Sequence, residues 1–222
     1  MDLHFSDVLD KFPYLLGGAW ISLQIAFLAF TGGMLLGLIG ASLQTFGRPL
    51  ARSCVNAYIG FFMNTPQLVQ IYFIFFALPE VGILMSPYEA VLIGMTLNAG
   101  AYLAEIQRAG FSSVHITELE AAETMGFSRI QSIRYVIVPH IIKVLFPPLS
   151  NQFILMTLGT SMAAIFGLEE LTGRAFNINS ETFRSVEIFT ITAGIYIAIT
   201  FLATVALAMV GRYIFRAKMR LI

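Results

Sequence analysis

The chain has 222 residues, of which 57% are hydrophobic and only 12% are charged, and its mean hydropathy is +0.79. This composition excludes an ordinary soluble domain and predicts an integral membrane protein with one domain, residues 1–222. Its 13 basic and 13 acidic residues give a formal net charge of zero, so no overall field favours a nucleic-acid partner. Cys54 and three dispersed histidines form no metal-ligand cluster, so we expect no metal site.

Five apolar segments predict an all-α membrane protein with five transmembrane helices and a cytoplasmic loop. A spanning helix needs about 20 mostly apolar residues. We place the five, in chain order, at residues 17–43, 57–78, 90–106, 145–168 and 188–215. Asp2, Asp7 and Asp10 precede the first segment where a cleaved signal would be basic, so we expect that segment to be retained.

Pro66 interrupts the second segment and predicts a kink, because it leaves the carbonyl of Phe62 without an intrahelical donor. Polar side chains flank the proline, namely Asn64, Thr65, Gln67 and Gln70. Such a kink either forms part of a gated pathway or is a tolerated bend whose polar groups bond to neighbouring helices. The sequence leaves both interpretations open.

The third segment is short and polar, and its small residues predict close packing inside a helix bundle. Asn98, Tyr102 and Glu105 follow at spacings of four and three, so they share one helical face. Glu105 is expected near the cytoplasmic end, paired with Arg108. Asn98 and Tyr102 are candidates for lining a cavity, and interhelical hydrogen bonding is an equally open alternative.

A polar connector at about residues 111–135 separates the third and fourth segments. Capping boxes are predicted for Thr117 with Glu120 and for Ser128 with Gln131, so two short helices are expected to meet at Gly126. The first, from Thr117 to Met125, is expected to dock on a partner. Its candidate coupling residues combine small side chains with carboxylates: Glu118, Glu120, Ala121, Ala122, Glu123 and Gly126.

In the fourth segment Pro147 and Pro148 lack amide donors, so a fresh helix is expected to start there. A polar stripe follows on an otherwise apolar helix, comprising Gln152, Met156 and Thr160 with Asn151 and Ser161 beside them. The stripe either lines a cavity or bonds to neighbouring helices, and the sequence does not decide between these.

The distribution of basic residues predicts an outside amino terminus, a cytoplasmic carboxyl terminus and a cytoplasmic connector. With this orientation the cytoplasmic positive charges are Arg48, Arg52, Arg108, Arg129, Arg134, Arg212, Arg216, Lys218 and Arg220. Only Lys11, Arg174 and Arg184 fall outside.

The connector resembles the EAA signature of permeases in ABC importers: Glu120-Ala121-Ala122, three residues, Gly126, nine residues, Val136, one residue, Val138-Pro139. Further blocks at residues 62–70, 97–110 and 147–154 resemble the polar amino acid importers, so the resemblance covers about residues 58–171. The chain is thereby identified as similar to a permease subunit of a type I importer.

This resemblance implies a multi-pass protein of the bacterial inner membrane that moves a polar amino acid or similar solute into the cytoplasm by alternating access. Expected partners are ATP-binding cassette subunits, a second identical or related permease, and an extracytoplasmic solute-binding protein. The chain has no Gly-x-x-x-x-Gly-Lys-Ser/Thr loop, so ATP and magnesium are expected on the partner and no cofactor on this chain. The expected solute pathway is Asn64, Thr65, Gln67, Asn98, Tyr102, Gln152, Met156, Thr160 and Ser161.

Two departures from the family affect the expected solute. Many relatives have Arg-Gly-Thr-Pro at residues 63–66 and Lys-Asp-Thr-Ser at residues 158–161, where this chain has Met-Asn-Thr-Pro and Leu-Gly-Thr-Ser. The charged side chains of those relatives are therefore missing here. A cationic solute, which needs an acidic partner in a low dielectric, becomes less expected.

Two other classes are less consistent with the sequence. A secondary transporter driven by an ion gradient usually shows an internal repeat and paired broken helices, and no convincing repeat occurs. A membrane-embedded enzyme needs a catalytic set, yet no His-Glu-x-x-His occurs and Ser150, Ser161 and Cys54 lack a basic neighbour at helical spacing. We therefore expect a transport subunit that is not an enzyme.

Overall fold

A computed structural model describes residue 5 and residues 10–215, and all regular structure in this part of the chain is helical. Asp2, His4, Asp7 and the basic residues Arg216, Lys218 and Arg220 lie outside the described residues. The nine α-helices of the described part are α1 Phe12–Phe46, α2 Pro49–Met63, α3 Gln67–Tyr72, α4 Pro87–Phe111, α5 Ile116–Thr124, α6 Arg129–Ser132, α7 Val138–Gly159, α8 Leu171–Thr182 and α9 Ser185–Phe215.

Short stretches of tighter or wider helix extend several of these elements. A π-helical turn at Phe73–Ala77 and a 3₁₀ turn at Leu78–Val81 continue α3. A second π-helical turn, Ile133–Ile137, joins α6 to α7, and a 3₁₀ helix, Thr160–Phe166, follows α7. The polar connector therefore leads into the fourth predicted span without a break in the helical path.

Three stretches of the described residues are long and apolar enough to cross a membrane: Phe12–Phe46, Arg129–Phe166 and Ser185–Ile214. Helix α2 and the stretch Gln67–Val81, which comprises α3 and the two turns that continue it, are bent by 103° and would make a fourth as one broken span. Helix α4 contains the predicted third span and extends beyond it at both ends, but it is not among these stretches. The prediction of a membrane-spanning helical protein is confirmed, and the number five stays a prediction.

Helix α4 occupies the centre of the bundle, where small residues allow its backbone to approach α1 closely. A Cβ atom added at Gly37 of α1 would lie 2.9 Å from the amide nitrogen of Ala104 and 2.9 Å from the carbonyl carbon of Leu103. On another side of α4, a Cβ at Gly94 would lie 2.6 Å from Ile71. The close packing predicted for the third segment is confirmed.

A capping box explains why α4 begins before the predicted boundary. The Ser86 hydroxyl accepts a hydrogen bond from the Glu89 amide at 3.3 Å, and the Glu89 carboxylate accepts one from the Ser86 amide at 2.8 Å. Pro87 occupies the first helical position, where its missing N–H removes no intrahelical bond. These three residues define the start of the helix locally.

The prediction that a fresh helix begins at Pro147-Pro148 is wrong, because both prolines lie inside α7. Proline has a φ angle that a helix accepts, so two missing amide donors remove hydrogen bonds without ending the helical path. One turn later, the Ser150 hydroxyl donates to the Phe146 carbonyl at 2.8 Å. Helix α7 therefore runs from the polar connector into the polar stripe as one element.

Helix α8 was not predicted from the sequence. The Glu170 side chain caps its amino terminus by accepting a hydrogen bond from the Gly173 amide at 2.9 Å. Its buried side chains pack against α1 and α9 through Leu15, Leu171, Ala175, Ile178 and Ile188. At 12 residues it is too short for a span, and its cap, a glutamate, is not one of the usual N-cap residues that would have marked its start.

Candidate functional site

The bend between α2 and α3 exposes main-chain carbonyls that two side-chain amides satisfy. Gln70 donates from Nε2 to the carbonyl oxygens of Phe62 at 2.9 Å and Thr65 at 3.0 Å. Asn98 of α4 donates from Nδ2 to the Gln70 Oε1 at 3.0 Å and to the Phe62 carbonyl at 3.3 Å. The predicted kink at Pro66 is confirmed, with the Phe62 carbonyl bonded by side chains in place of the missing amide.

Beside this bend lies a cavity of about 530 Å³ lined by Met63, Asn64, Thr65, Pro66, Gln67, Asn98, Tyr102, Gln152, Leu155 and Met156. Residues of the bend form one wall, α4 a second and α7 a third. No ionisable acidic or basic side chain is among those that line it. Its volume falls in the range of about 300–1,000 Å³ that is usual for small-molecule sites.

Seven of the nine predicted pathway residues line this cavity: Asn64, Thr65, Gln67, Asn98, Tyr102, Gln152 and Met156. The other two lie in the 3₁₀ helix after α7. Thr160 is fully buried and donates to the Thr157 carbonyl at 2.8 Å, and Ser161 donates to the Leu158 carbonyl at 2.9 Å. For Asn98 both sequence interpretations hold, since it lines the cavity and also bonds across helices.

Glu105 lies one turn beyond the cavity face of α4. Its carboxylate accepts a hydrogen bond from Arg108 at 2.6 Å, as predicted, and another from Gln44 of α1 at 3.0 Å. Both partners hold the carboxylate towards the carboxyl-terminal end of α4, the end for which the sequence predicts a cytoplasmic location. Glu105 accordingly forms an ion pair with Arg108 near the end of the helix, and it is not among the residues that line the cavity.

The connector forms two short helices that meet at Gly126, as predicted. Gly126 has a φ of 78°, a left-handed conformation that favours glycine, and the Phe127 amide bonds back to the Ala122 carbonyl at 3.0 Å. The Ser128–Gln131 capping box is confirmed at 2.8 and 3.4 Å.

The predicted Thr117–Glu120 capping box is wrong. The cap position is His115, two residues before Thr117, so Thr117 lies within the first turn of α5. A residue inside the first turn has helical backbone, whereas a capping residue needs extended backbone. His115 has that extended conformation but makes no side-chain cap bond.

The candidate coupling residues divide between two faces of α5. Glu120, Ala121, Glu123 and Gly126 are exposed, together with Ile116 and Met125. Ala122 is fully buried, so its small side chain serves packing within the chain. The half-buried Glu118 turns towards α7, where its carboxylate lies 3.3 Å from His140 Nδ1.

One buried carboxylate at the other end of the bundle was missed by the sequence analysis. Glu170, in the loop before α8, is fully buried and accepts hydrogen bonds from Ser22 Oγ at 2.9 Å and the Tyr196 hydroxyl at 3.1 Å. Burial raises the pKa of its carboxyl, and bonds from these hydroxyls and from the Thr172 and Gly173 amides oppose that effect. Glu170 thus ties α1, α8 and α9 together.

A helical membrane bundle with a polar cavity beside a broken helix, and with a short two-helix connector, defines a transport subunit of the permease class. The family model for "Binding-protein-dependent transport system inner membrane component" matches residues 33–220. The chain belongs to this family of ABC transporter permeases.

Curated relatives agree with that assignment. The chain is 36% identical over 202 residues to the glutamine transport system permease protein GlnP of Escherichia coli strain K12, covering 90% of this chain and 92% of that protein. It is 34% identical over 197 residues to the probable amino-acid ABC transporter permease protein YckA of Bacillus subtilis, covering 89% and 87%. These relatives are transport permeases, so this chain is a transport subunit and not itself an enzyme.

Solved structures show the same fold. An amino acid ABC transporter crystal structure matches with a TM-score of 0.88 and 32% identity over 96% of this chain and 100% of that one. The MetNI methionine ABC transporter, in an inward facing conformation, matches with a TM-score of 0.70 over 90% and 95% of the two chains. The latter is 19% identical and supports the fold alone.

Proposed function

We propose that this chain is the membrane subunit of an ATP-driven importer for an amino acid with an uncharged polar side chain. The observation that carries the proposal is the cavity at Pro66, whose lining combines four amide side chains and Tyr102 with no ionised group. An amide both donates and accepts hydrogen bonds, so it suits the ammonium, the carboxylate and a carboxamide or hydroxyl side chain of such a solute.

A solute with a charged side chain fits this lining less well. Moving an unpaired charge out of water is costly unless an opposite charge or several hydrogen bonds compensate. The relatives named for glutamine and for amino acids support a solute of this general kind. The proposed pathway includes the seven cavity residues, with Thr160 and Ser161 beyond it.

The proposed mechanism is alternating access with five spans, an outside amino terminus and a cytoplasmic α5. Two permeases, identical or related, form the path, and two ATP-binding subunits meet the exposed face of α5. An extracytoplasmic binding protein delivers the solute. These ATP-binding subunits, the motor of the complex, hydrolyse ATP with magnesium. This chain converts their movement into opening and closing of the cavity.

The test is reconstitution of the permease with its ATP-hydrolysing subunits and binding protein in proteoliposomes. A panel of neutral, cationic and anionic amino acids is then scored for uptake and for stimulation of ATP hydrolysis. We expect a neutral polar amino acid to stimulate hydrolysis by about fivefold or more. Uptake by the permease alone, driven by an ion gradient, would instead establish the secondary transporter.

A further inference from the structure

His140 lies in the first turn of α7 and contacts two segments that precede it in the chain. Its Nδ1 atom is 3.3 Å from a carboxylate oxygen of Glu118 in α5, and its Nε2 atom is 3.1 Å from the carbonyl oxygen of Ser113. Ser113 belongs to the loop that links α4 to α5. One imidazole therefore connects the loop after α4, helix α5 and the start of α7.

Both contacts of the ring are with oxygen atoms that accept hydrogen bonds. A carbonyl oxygen only accepts hydrogen bonds, and an ionised carboxylate also only accepts them. A neutral imidazole has a single N–H and satisfies one of the two acceptors. The ring is hydrogen-bonded to the Ser113 carbonyl and lies within ion-pair distance of the Glu118 carboxylate.

His140 lies between α5 and the helices that line the cavity. Helix α4 carries Asn98 and Tyr102 into the cavity wall, and α7 carries Gln152 and Met156. His140 and Gln152 are 12 residues apart on one helix, about 18 Å along its axis. A displacement of α5 would therefore reach α7 through His140, and α4 through the loop at Ser113.

We infer that His140 is a positioning residue that couples α5 to α4 and α7 through its polar contacts with Ser113 and Glu118. The inference rests on the proposed function, in which α5 meets the motor, and adds the route by which its movement enters the membrane bundle. The exposed carboxylates Glu120 and Glu123 remain available to the motor, whereas Glu118 serves the bridge within the chain.

Two substitutions separate this role from simple packing. His140→Phe keeps a planar ring of similar size and removes both ring nitrogens, whereas His140→Arg supplies several donors and changes the shape. His115→Phe is the matched control, because His115 is exposed and makes no side-chain cap bond. If packing were the role of His140, the phenylalanine variant would be the better tolerated of the two.

The experiment uses the full complex in proteoliposomes and measures solute transported per ATP hydrolysed, normalised to assembled complex. We expect His140→Phe to lower this ratio about tenfold, His140→Arg to recover more than half of the loss, and His115→Phe to match the wild type. Glu118→Gln should also lower the ratio, and adding it to His140→Phe should cause no further loss, because both act on one contact.

Several results would overturn the inference. These are an unchanged ratio in His140→Phe, a smaller loss in His140→Phe than in His140→Arg, or independent losses that multiply in the Glu118→Gln and His140→Phe double variant. Failure of the wild-type complex to couple solute to ATP hydrolysis would instead overturn the proposed function, and with it the bridge.

Discussion

The side-chain Nε2 of Gln70 lies 2.9 Å from the main-chain carbonyl oxygen of Phe62, the acceptor that Pro66 deprives of its helical donor. A side chain of α3 thus supplies a hydrogen bond to the unpaired carbonyl at the end of α2. Asn98 of α4 donates a second hydrogen bond to the same carbonyl. The bend is therefore built into the bundle by specific hydrogen bonds, and its shape places polar residues around the cavity.

Replacing Gln70 should destabilise the bend. In Gln70→Leu the carbonyls of Phe62 and Thr65 lose the Gln70 donor, and Phe62 keeps only the longer bond from Asn98, at an expected cost of about 1–3 kcal/mol. Thermal or denaturant unfolding of the purified protein in detergent measures the change. Gln24→Leu, at an exposed position of α1, is the control, and equal stability of the two variants would contradict the bracing role.

Close packing of α1 on α4 predicts opposite effects for two glycine substitutions. Gly37→Ala should destabilise the protein by about 1–3 kcal/mol, because the added methyl meets the α4 backbone at 2.9 Å. Gly60→Ala meets no atom within 4 Å in the interior of α2, so it should stabilise the protein by about 0.5–1 kcal/mol through helix propensity. Unfolding measurements of both variants test the contrast, and a tolerated Gly37→Ala would speak against this packing.

The buried carboxyl of Glu170 predicts a pH dependence of stability. Because its pKa is raised in the folded protein, the folded state holds the proton more tightly than the unfolded state does. Its contribution to stability is therefore greatest below the ordinary glutamate pKa and is lost as the pH rises through the raised value. The wild type should lose stability relative to Glu170→Gln over that interval.

Unfolding from about pH 4.5 to about pH 8 provides the measurement. Glu169→Gln, which removes an exposed carboxyl one residue earlier, controls for the change in net charge. A stability difference between wild type and Glu170→Gln that stays constant across this range would contradict the expected titration.

The uncharged cavity predicts that one added charge redirects selectivity. Gln152→Glu places a carboxylate in the lining, where a cationic solute offers the opposite charge in a low dielectric. We expect the ratio of cationic to neutral amino acid uptake to rise about tenfold. Competition uptake in proteoliposomes measures the ratio, with Gln24→Glu as the control outside the cavity, and an unaltered ratio would exclude Gln152 from the solute pathway.

The exposed face of α5 predicts a test of coupling to the motor. Glu120→Lys reverses one exposed charge, so the motor subunits should co-purify about tenfold less while the permease still inserts into the membrane. Glu80→Lys, in the exposed 3₁₀ turn after α3, controls for a reversed charge elsewhere. Normal recovery of the motor with Glu120→Lys would contradict a contact at this residue.

Part of the candidate site followed from local sequence. The proline at residue 66, the polar residues around it and the spacing of Asn98 and Tyr102 indicated a polar region in the bundle. The spacing of Gln152 and Met156 placed both on one face of the next helix, and the structure brings all these positions to one cavity. Helical periodicity identifies a shared face, and so it predicts which residues on one helix point together.

The errors and omissions arose where distant contacts or helix context decided the outcome. Local chemistry at Pro147-Pro148 indicated a helix start, whereas α7 continues through both residues. Glu118 was assigned to the same surface as Glu120, yet its partner is His140 of another helix. The network at Glu170 joins residues 148 positions apart, a distance over which spacing along the chain carries no information.

Sequence alone determined the helical membrane class, the break at Pro66 and the Gly126 turn of the connector. Each depends on a continuous stretch of chain: the length of an apolar segment, the amide that proline lacks, and the left-handed conformation that glycine allows. Tertiary structure alone decided which acceptor each buried polar group meets. The Gln70 amide donates to the Phe62 carbonyl, the Glu118 carboxylate lies beside the His140 ring, and the Ser22 hydroxyl donates to the Glu170 carboxylate. In a low-dielectric interior each such group needs a partner, and only the packing of separate helices determines which one lies within reach.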